Sequence, residues 1–108
     1  MPDTEAITPR RVDSATELAA AVDGNDRLLV AFHTEGCSAC AAMEPVLGIV
    51  ARETETPVVT VNPRDDPVLI EEYQIESVPA LVLFEDGSPV RRLAEGFVGA
   101  ERVIDFLD

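Results

Sequence analysis

The sequence predicts an α/β fold: a central mixed β-sheet with helices on both faces, in the order βαβαβαββα. Three observations carry this. The first is a set of short unbroken apolar runs, at Leu28 to Phe32, Pro57 to Val61 and Ala80 to Phe84, the pattern of strands covered on both faces. The second is that these runs alternate with segments whose apolar residues recur at helical spacing. The third is Glu85-Asp86-Gly87-Ser88, a hairpin turn signal that makes the last strand pair antiparallel.

The elements follow in order. Residues 1–9 are polar, with Pro2 and Pro9 at their edges, and are expected to form a loose tail ahead of a single domain over 10–108. A short strand is expected from Arg10 to Val12. Ser14-Ala15-Thr16-Glu17 reads as a capping box that opens a helix. Leu18, Ala19 and Val22 give that helix its apolar face, and Gly24 stops it. After the strand at Leu28 to Phe32, residues His33 to Gly36 form a loop. A helix runs from Cys37 to about Glu53, with Met43, Val46, Leu47, Val50 and Ala51 on its buried side. Pro45 inside it lacks an N–H and is expected to kink it. Asn62 to Asp66 is a turn, and Pro67 opens a short helix through about Tyr73. Val90 to Ala94 returns as a strand. The last helix spans Ala100 to Leu107, with Val103, Ile104 and Leu107 inward.

Charge narrows the function classes. The 108 residues hold 21 Asp and Glu against 8 Lys and Arg, a net charge of −13, and every basic residue is Arg. Such a surface repels phosphate, so neither nucleic acid nor an anionic membrane is an expected partner. No apolar run approaches the roughly 20 residues of a membrane span. The acidic start Met1-Pro2-Asp3-Thr4-Glu5 lacks the basic-then-apolar order of a secretory signal. The expectation is a soluble cytoplasmic monomer. Molar salt shortens the Debye length to about 3 Å, so the excess of carboxylates also reads as adaptation to a salt-rich cytosol.

The chemistry sits at Cys37 and Cys40. A C-x-x-C pair alone fits a redox site, half of a zinc site, or chance. Here it follows a buried strand and begins a helix, where backbone N–H groups favour an anion. A thiolate at Cys37 should therefore form more readily than in a free cysteine. Cys40 lies one turn deeper, within reach of the same sulfur. The division of labour is that Cys37 attacks a substrate disulfide and Cys40 resolves the mixed disulfide. His33, Cys37 and Cys40 with Glu35 do not make a convincing ligand set for a metal, and none is assigned. Glu35 reads as a solvated charge.

Val30-Ala31-Phe32-His33-Thr34-Glu35-Gly36-Cys37-Ser38-Ala39-Cys40, with Pro45 downstream, resembles the active-site strand and helix of the thioredoxin family. Ser77-Val78-Pro79-Ala80-Leu81-Val82-Leu83-Phe84-Glu85-Asp86-Gly87 resembles the family's cis-proline loop with its strand and hairpin, and Gly96 falls where the family has a glycine before the last helix. The resemblance implies the thioredoxin fold and a cis Val78–Pro79 bond facing the dithiol, with Val78 offering its backbone to an extended substrate. It marks the chain as a divergent thioredoxin-like protein. Gly36 stands where the family has Trp, Ser38-Ala39 where it has Gly-Pro, and His33 where it has an aromatic residue. Ala31 and Thr60 replace a buried Asp and its Lys partner. The missing Asp assists proton transfer at the second cysteine in the family. Glu44, four residues after Cys40 on the same helical face, is the candidate substitute.

The resulting expectation is a thiol–disulfide oxidoreductase that reduces protein disulfides, with no bound cofactor beyond the Cys37–Cys40 disulfide. Electrons would come from a separate reductase or thiol donor. The rival readings are a docking or chaperone-like module with little redox turnover, and a metal-binding C-x-x-C protein.

Overall fold

The computed structural model describes residues 8–108. Of the expected tail, only Thr8 and Pro9 fall within them. The chain forms strands β1 (Arg10–Val12), β2 (Arg27–Phe32), β3 (Val58–Val61), β4 (Ala80–Glu85) and β5 (Ser88–Leu93), with helices α1 (Ala15–Asp23), α2 (Ser38–Thr54), α3 (Val68–Tyr73) and α4 (Ala100–Leu107). The order βαβαβαββα is the one read from the sequence. The turn expected at Asn62 to Asp66 contains a single 3-10 turn, Pro63–Asp65.

The sheet order is β1-β3-β2-β4-β5. β1, β3 and β2 are parallel, while β4 runs antiparallel to both β2 and β5. Side chains alternate across the strands, so the sheet carries two cores. Leu29, Ala31, Val58, Leu81 and Leu83 face α2 and α4. Leu28, Val30, Phe32, Val59, Val61, Val82 and Phe84 face α1 and α3. At the hairpin, Asp86 and Gly87 both have positive φ, 53° and 86°. That pairing fits the right-handed strand twist of a two-residue turn.

Local chemistry sets the helix ends. Ser14 Oγ accepts from Glu17 N–H at 3.1 Å. The reciprocal bond of the capping box shifts by one residue, since Glu17 Oε1 accepts from Asp13 N–H rather than from Ser14. Asp66 adds a carboxylate at the same helix start, accepting from Ala15 N–H at 2.8 Å. Gly24 ends α1 with its N–H donated to Ala20 O, but in a right-handed conformation rather than the left-handed one typical of a cap glycine. Ala19, expected inward, is exposed; Ala15 and Ala21 pack against the core instead. In α4 the inward set is Val103, Phe106 and Leu107, with Ile104 only half-buried.

α2 runs through Pro45 as one element. The carbonyl left without a partner by Pro45 belongs to Ala41, and both residues are exposed, so water can bond it. The edge strand β5 carries Pro89 and two arginines. Arg91 donates to the carbonyls of Phe106 and Asp108 at the end of α4, and Arg92 to those of Gln74 and Tyr73 at the end of α3.

Candidate active site

Cys37 is the N-cap of α2, with extended backbone. Its Sγ accepts from Cys40 N–H at 3.1 Å. The two cysteines form a disulfide, with Cα atoms 5.2 Å apart. The pair is asymmetric: Cys37 is half-buried, whereas Cys40 is 5% exposed. Ser38 opens α2 on the solvent side, and Ala39 is half-buried.

Gly36 adopts φ +79°, and a Cβ built there would meet nothing within 4 Å. Glycine is favoured because the backbone is left-handed, and the space before Cys37 stays open. The Val78–Pro79 peptide bond is cis. It brings Val78 O to 4.0 Å from Cys37 Sγ, with Pro79 buried beside the dithiol.

The model described as Thioredoxin matches residues 11–108. The chain belongs to the thioredoxin family. It is 32% identical over 95 residues to thioredoxins of Mycobacterium bovis and Mycobacterium tuberculosis, covering 86% of this chain and 82% of each relative. It is 31% identical over 84 residues to a bifunctional thioredoxin reductase/thioredoxin of Mycobacterium leprae, covering 76% of this chain and 18% of that one. Among solved structures it is similar to a mutant thioredoxin from Halobacterium salinarum. There the TM-score is 0.87 at 30% identity, with 93% of this chain and 88% of that one covered. A thioredoxin-family chain with its C-x-x-C pair in disulfide contact is a thiol–disulfide oxidoreductase, and the disulfide itself is the redox carrier.

Against that family pattern, Ala31 and Thr60 are register partners on adjacent strands. Both are short and both face α2, and a cavity of about 340 Å³ lies there. Its lining includes Cys40, His33, Glu44, Met43, Thr60 and Pro79. Met43, expected in the core, is 2% exposed, and its Sδ lies 3.5 Å from Val98 N. Glu44 lines the cavity from an exposed position on α2. His33 extends β2 by donating its N–H to Val61 O at 3.0 Å. Its Nε2 is buried without a hydrogen-bond partner among the described residues. Burial, and then the nearby Arg11, hold its pKa below the ordinary imidazole value, against the opposing pull of Glu44, Asp65 and Glu35.

The sequence placed His33, Cys40, Glu44 and Pro79 at one site but missed the cavity. Its signal was the coincidence of Ala31 and Thr60, two small residues in register beneath the dithiol. A second cavity, about 610 Å³ between α1 and the β1–β3 edge, contains no cysteine or histidine. Among the described residues no group of three His, Cys, Asp or Glu side chains is placed to hold a metal ion, and no helix is long and apolar enough to cross a membrane.

Proposed function

We propose that this thioredoxin-family protein reduces protein disulfides, with Cys37 as the attacking thiol and Cys40 as the resolving thiol. The observation that carries the assignment is the asymmetry of the pair. Cys37 is half-buried at a helix start and accepts a backbone N–H, while Cys40 is 5% exposed. That donor and the helix start favour the thiolate form of Cys37. That thiolate attacks one sulfur of the substrate disulfide and expels the other as a thiolate. Cys40 then gives up its proton and attacks Cys37 Sγ. The Cys37–Cys40 bond forms, the mixed disulfide breaks, and the second substrate sulfur leaves carrying the electron pair. The substrate gains two electrons and the dithiol loses them.

Val78, with its carbonyl beside Cys37 Sγ, is the backbone to which an extended substrate segment pairs. Pro79 fixes that loop, and Gly36, Ser38, Ala39 and His33 shape the surface around the sulfur. Electrons return from a separate reductase or thiol donor. The existence of a bifunctional thioredoxin reductase/thioredoxin relative supports this. The working address is a cytoplasm, where thiols are kept reduced, and the working form is a monomer. The net charge of −13, with likeness to a Halobacterium thioredoxin, supports a salt-rich one.

The test is reduction of insulin disulfides driven by an external dithiol. Wild type is expected to turn over and Cys37→Ser to lose all activity above the uncatalysed rate. Cys40→Ser is expected to accumulate a mixed disulfide on Cys37. Activity retained in Cys37→Ser, or adduct found on Cys40 in place of Cys37, refutes the assignment.

A further inference from the structure

The resolving step needs a base at Cys40. A buried thiol loses its proton reluctantly, because burial disfavours the thiolate. Cys40 is 5% exposed. The strand positions flanking it are Ala31 and Thr60, which offer no base. Two groups that can take a proton line the cavity it faces, His33 and Glu44.

We infer that His33 Nε2, which water does not reach in this disulfide form, is the proton acceptor for Cys40 during resolution, its ring turning toward water in the cavity that both residues line. This rests on the reading that Cys40 resolves a mixed disulfide on Cys37. Three observations support it. Nε2 is buried and has no competing hydrogen bond among the described residues. The cavity of about 340 Å³ exceeds the roughly 30 Å³ share of one water several-fold, and it is polar enough to hold a bridging one, with Thr60, Glu44 and Arg11 on its walls. Burial and Arg11 also keep the imidazole neutral through the neutral pH range, its lone pair free.

Glu44 fits the task less well. Its side chain is exposed.

The step balances. With its own proton on Nδ1, His33 takes the Cys40 proton on Nε2 and becomes imidazolium. Cys40 thiolate displaces the substrate sulfur from Cys37. The imidazolium then returns the proton to the departing thiolate or to water. The charged groups around the ring are Arg11 from β1, Glu44 from α2, Asp65 from the 3-10 turn and Glu35 from the loop. Arg11 opposes the imidazolium and the three carboxylates favour it.

The experiment uses the reduced full chain and an aromatic disulfide that releases a coloured thiolate at each step. The first phase reports attack by Cys37 and the second reports resolution by Cys40. In wild type the second phase should slow as pH falls through the imidazole titration. That titration can be followed by NMR, since His33 is the sole histidine. His33→Phe should slow the second phase at least about ten-fold more than the first and remove the acid limb. Glu44→Gln should keep the limb and move it to lower pH, because Glu44 raises the imidazole pKa. Ala31→Asp in the His33→Phe background should restore part of the lost rate by supplying a buried base.

An acid limb that persists in His33→Phe and disappears in Glu44→Gln overturns the inference in favour of Glu44. So does a wild-type second phase that ignores the imidazole titration, and this arm needs no variant. Release of both coloured equivalents by Cys40→Ser defeats the underlying assignment of Cys40 instead, which keeps the two failures distinct.

Discussion

On the face of the sheet covered by α1 and α3, aromatic rings fill the space between the layers. Phe32 and Phe84 each lie 5.7 Å from the ring of Tyr73. One residue along β2, on the opposite face, Ala31 and Thr60 leave a cavity beside Cys40. The two faces share the same strands and differ only in the parity of their side chains. One is filled by rings at this end of the sheet, and its own cavity lies away from them, between α1 and the β1–β3 edge. The other keeps open space at the point where a buried sulfur must exchange a proton and form a bond. The contrast teaches that the aromatic cluster holds the strands in place, while the gap beside Cys40 gives the chemistry room.

The largest expected effect on stability lies in the aromatic cluster. Phe32 is fully buried, so Phe32→Ala should cost about 3–5 kcal/mol in urea unfolding. A loss below about 1 kcal/mol would show that the aromatic layer relaxes and would erase the contrast. A sharper comparison adds one carbon to the filled face and two beside the cavity. Val30→Leu, into the closed layer, should cost about 1–3 kcal/mol, whereas Ala31→Val, into the cavity, should stay within about 1 kcal/mol of wild type in either direction. Equal costs would mean that the cavity offers no slack.

Surface charge acts on both faces alike and more weakly. The ion pairs found among the described residues, Arg11 with Asp13 and Asp65, Arg27 with Glu85, and Arg102 with Glu95, are all partly exposed. Exposed pairs contribute little to stability, and the net charge of −13 is what remains after every arginine is counted. Raising KCl from about 0.05 M to about 2 M should screen the repulsion and lift the melting temperature on the order of 5 °C. An unchanged midpoint would end the argument for salt adaptation.

The smallest effect belongs to His33. Its pKa is lowered in the folded protein, so the unfolded chain binds a proton more readily. Stability should be unaffected above the ordinary imidazole range and fall as pH drops through it toward the folded value. His33→Gln should flatten that portion of the stability–pH curve, read by denaturant titration at stepped pH.

Most of the fold was legible because its signals are local. Unbroken apolar runs marked β2, β3 and β4, and Asp86-Gly87 marked the hairpin. The dithiol was legible for the same reason, since strand, loop and helix start are contiguous in sequence. Errors arose where three-dimensional neighbours decide. Ala19 has the right helical spacing but looks away from the sheet. Phe106 is buried because α4 settles onto the sheet along Val103, Phe106 and Leu107 rather than along Ile104. Helical periodicity alone does not separate these neighbouring faces. The cavity was the least legible feature, because it needs β1, β2, α2, β3 and the Pro79 loop at once. The isolation of His33 Nε2 depends on the same assembly.

The edge strand β5 bears on how the protein behaves in a crowd of its own copies. An open sheet edge invites another strand to add, which is how folded domains begin to aggregate. Pro89 removes one N–H from that edge. Arg91 and Arg92 turn their guanidinium groups onto the carbonyls that end α4 and α3, fastening the strand to a helix on each side. The bonds to Phe106, Gln74 and Tyr73 run from a cation to neutral carbonyls, so they depend less than an ion pair on the surrounding electrolyte. A newcomer seeking to extend the sheet there meets a missing donor and two bulky, tethered side chains.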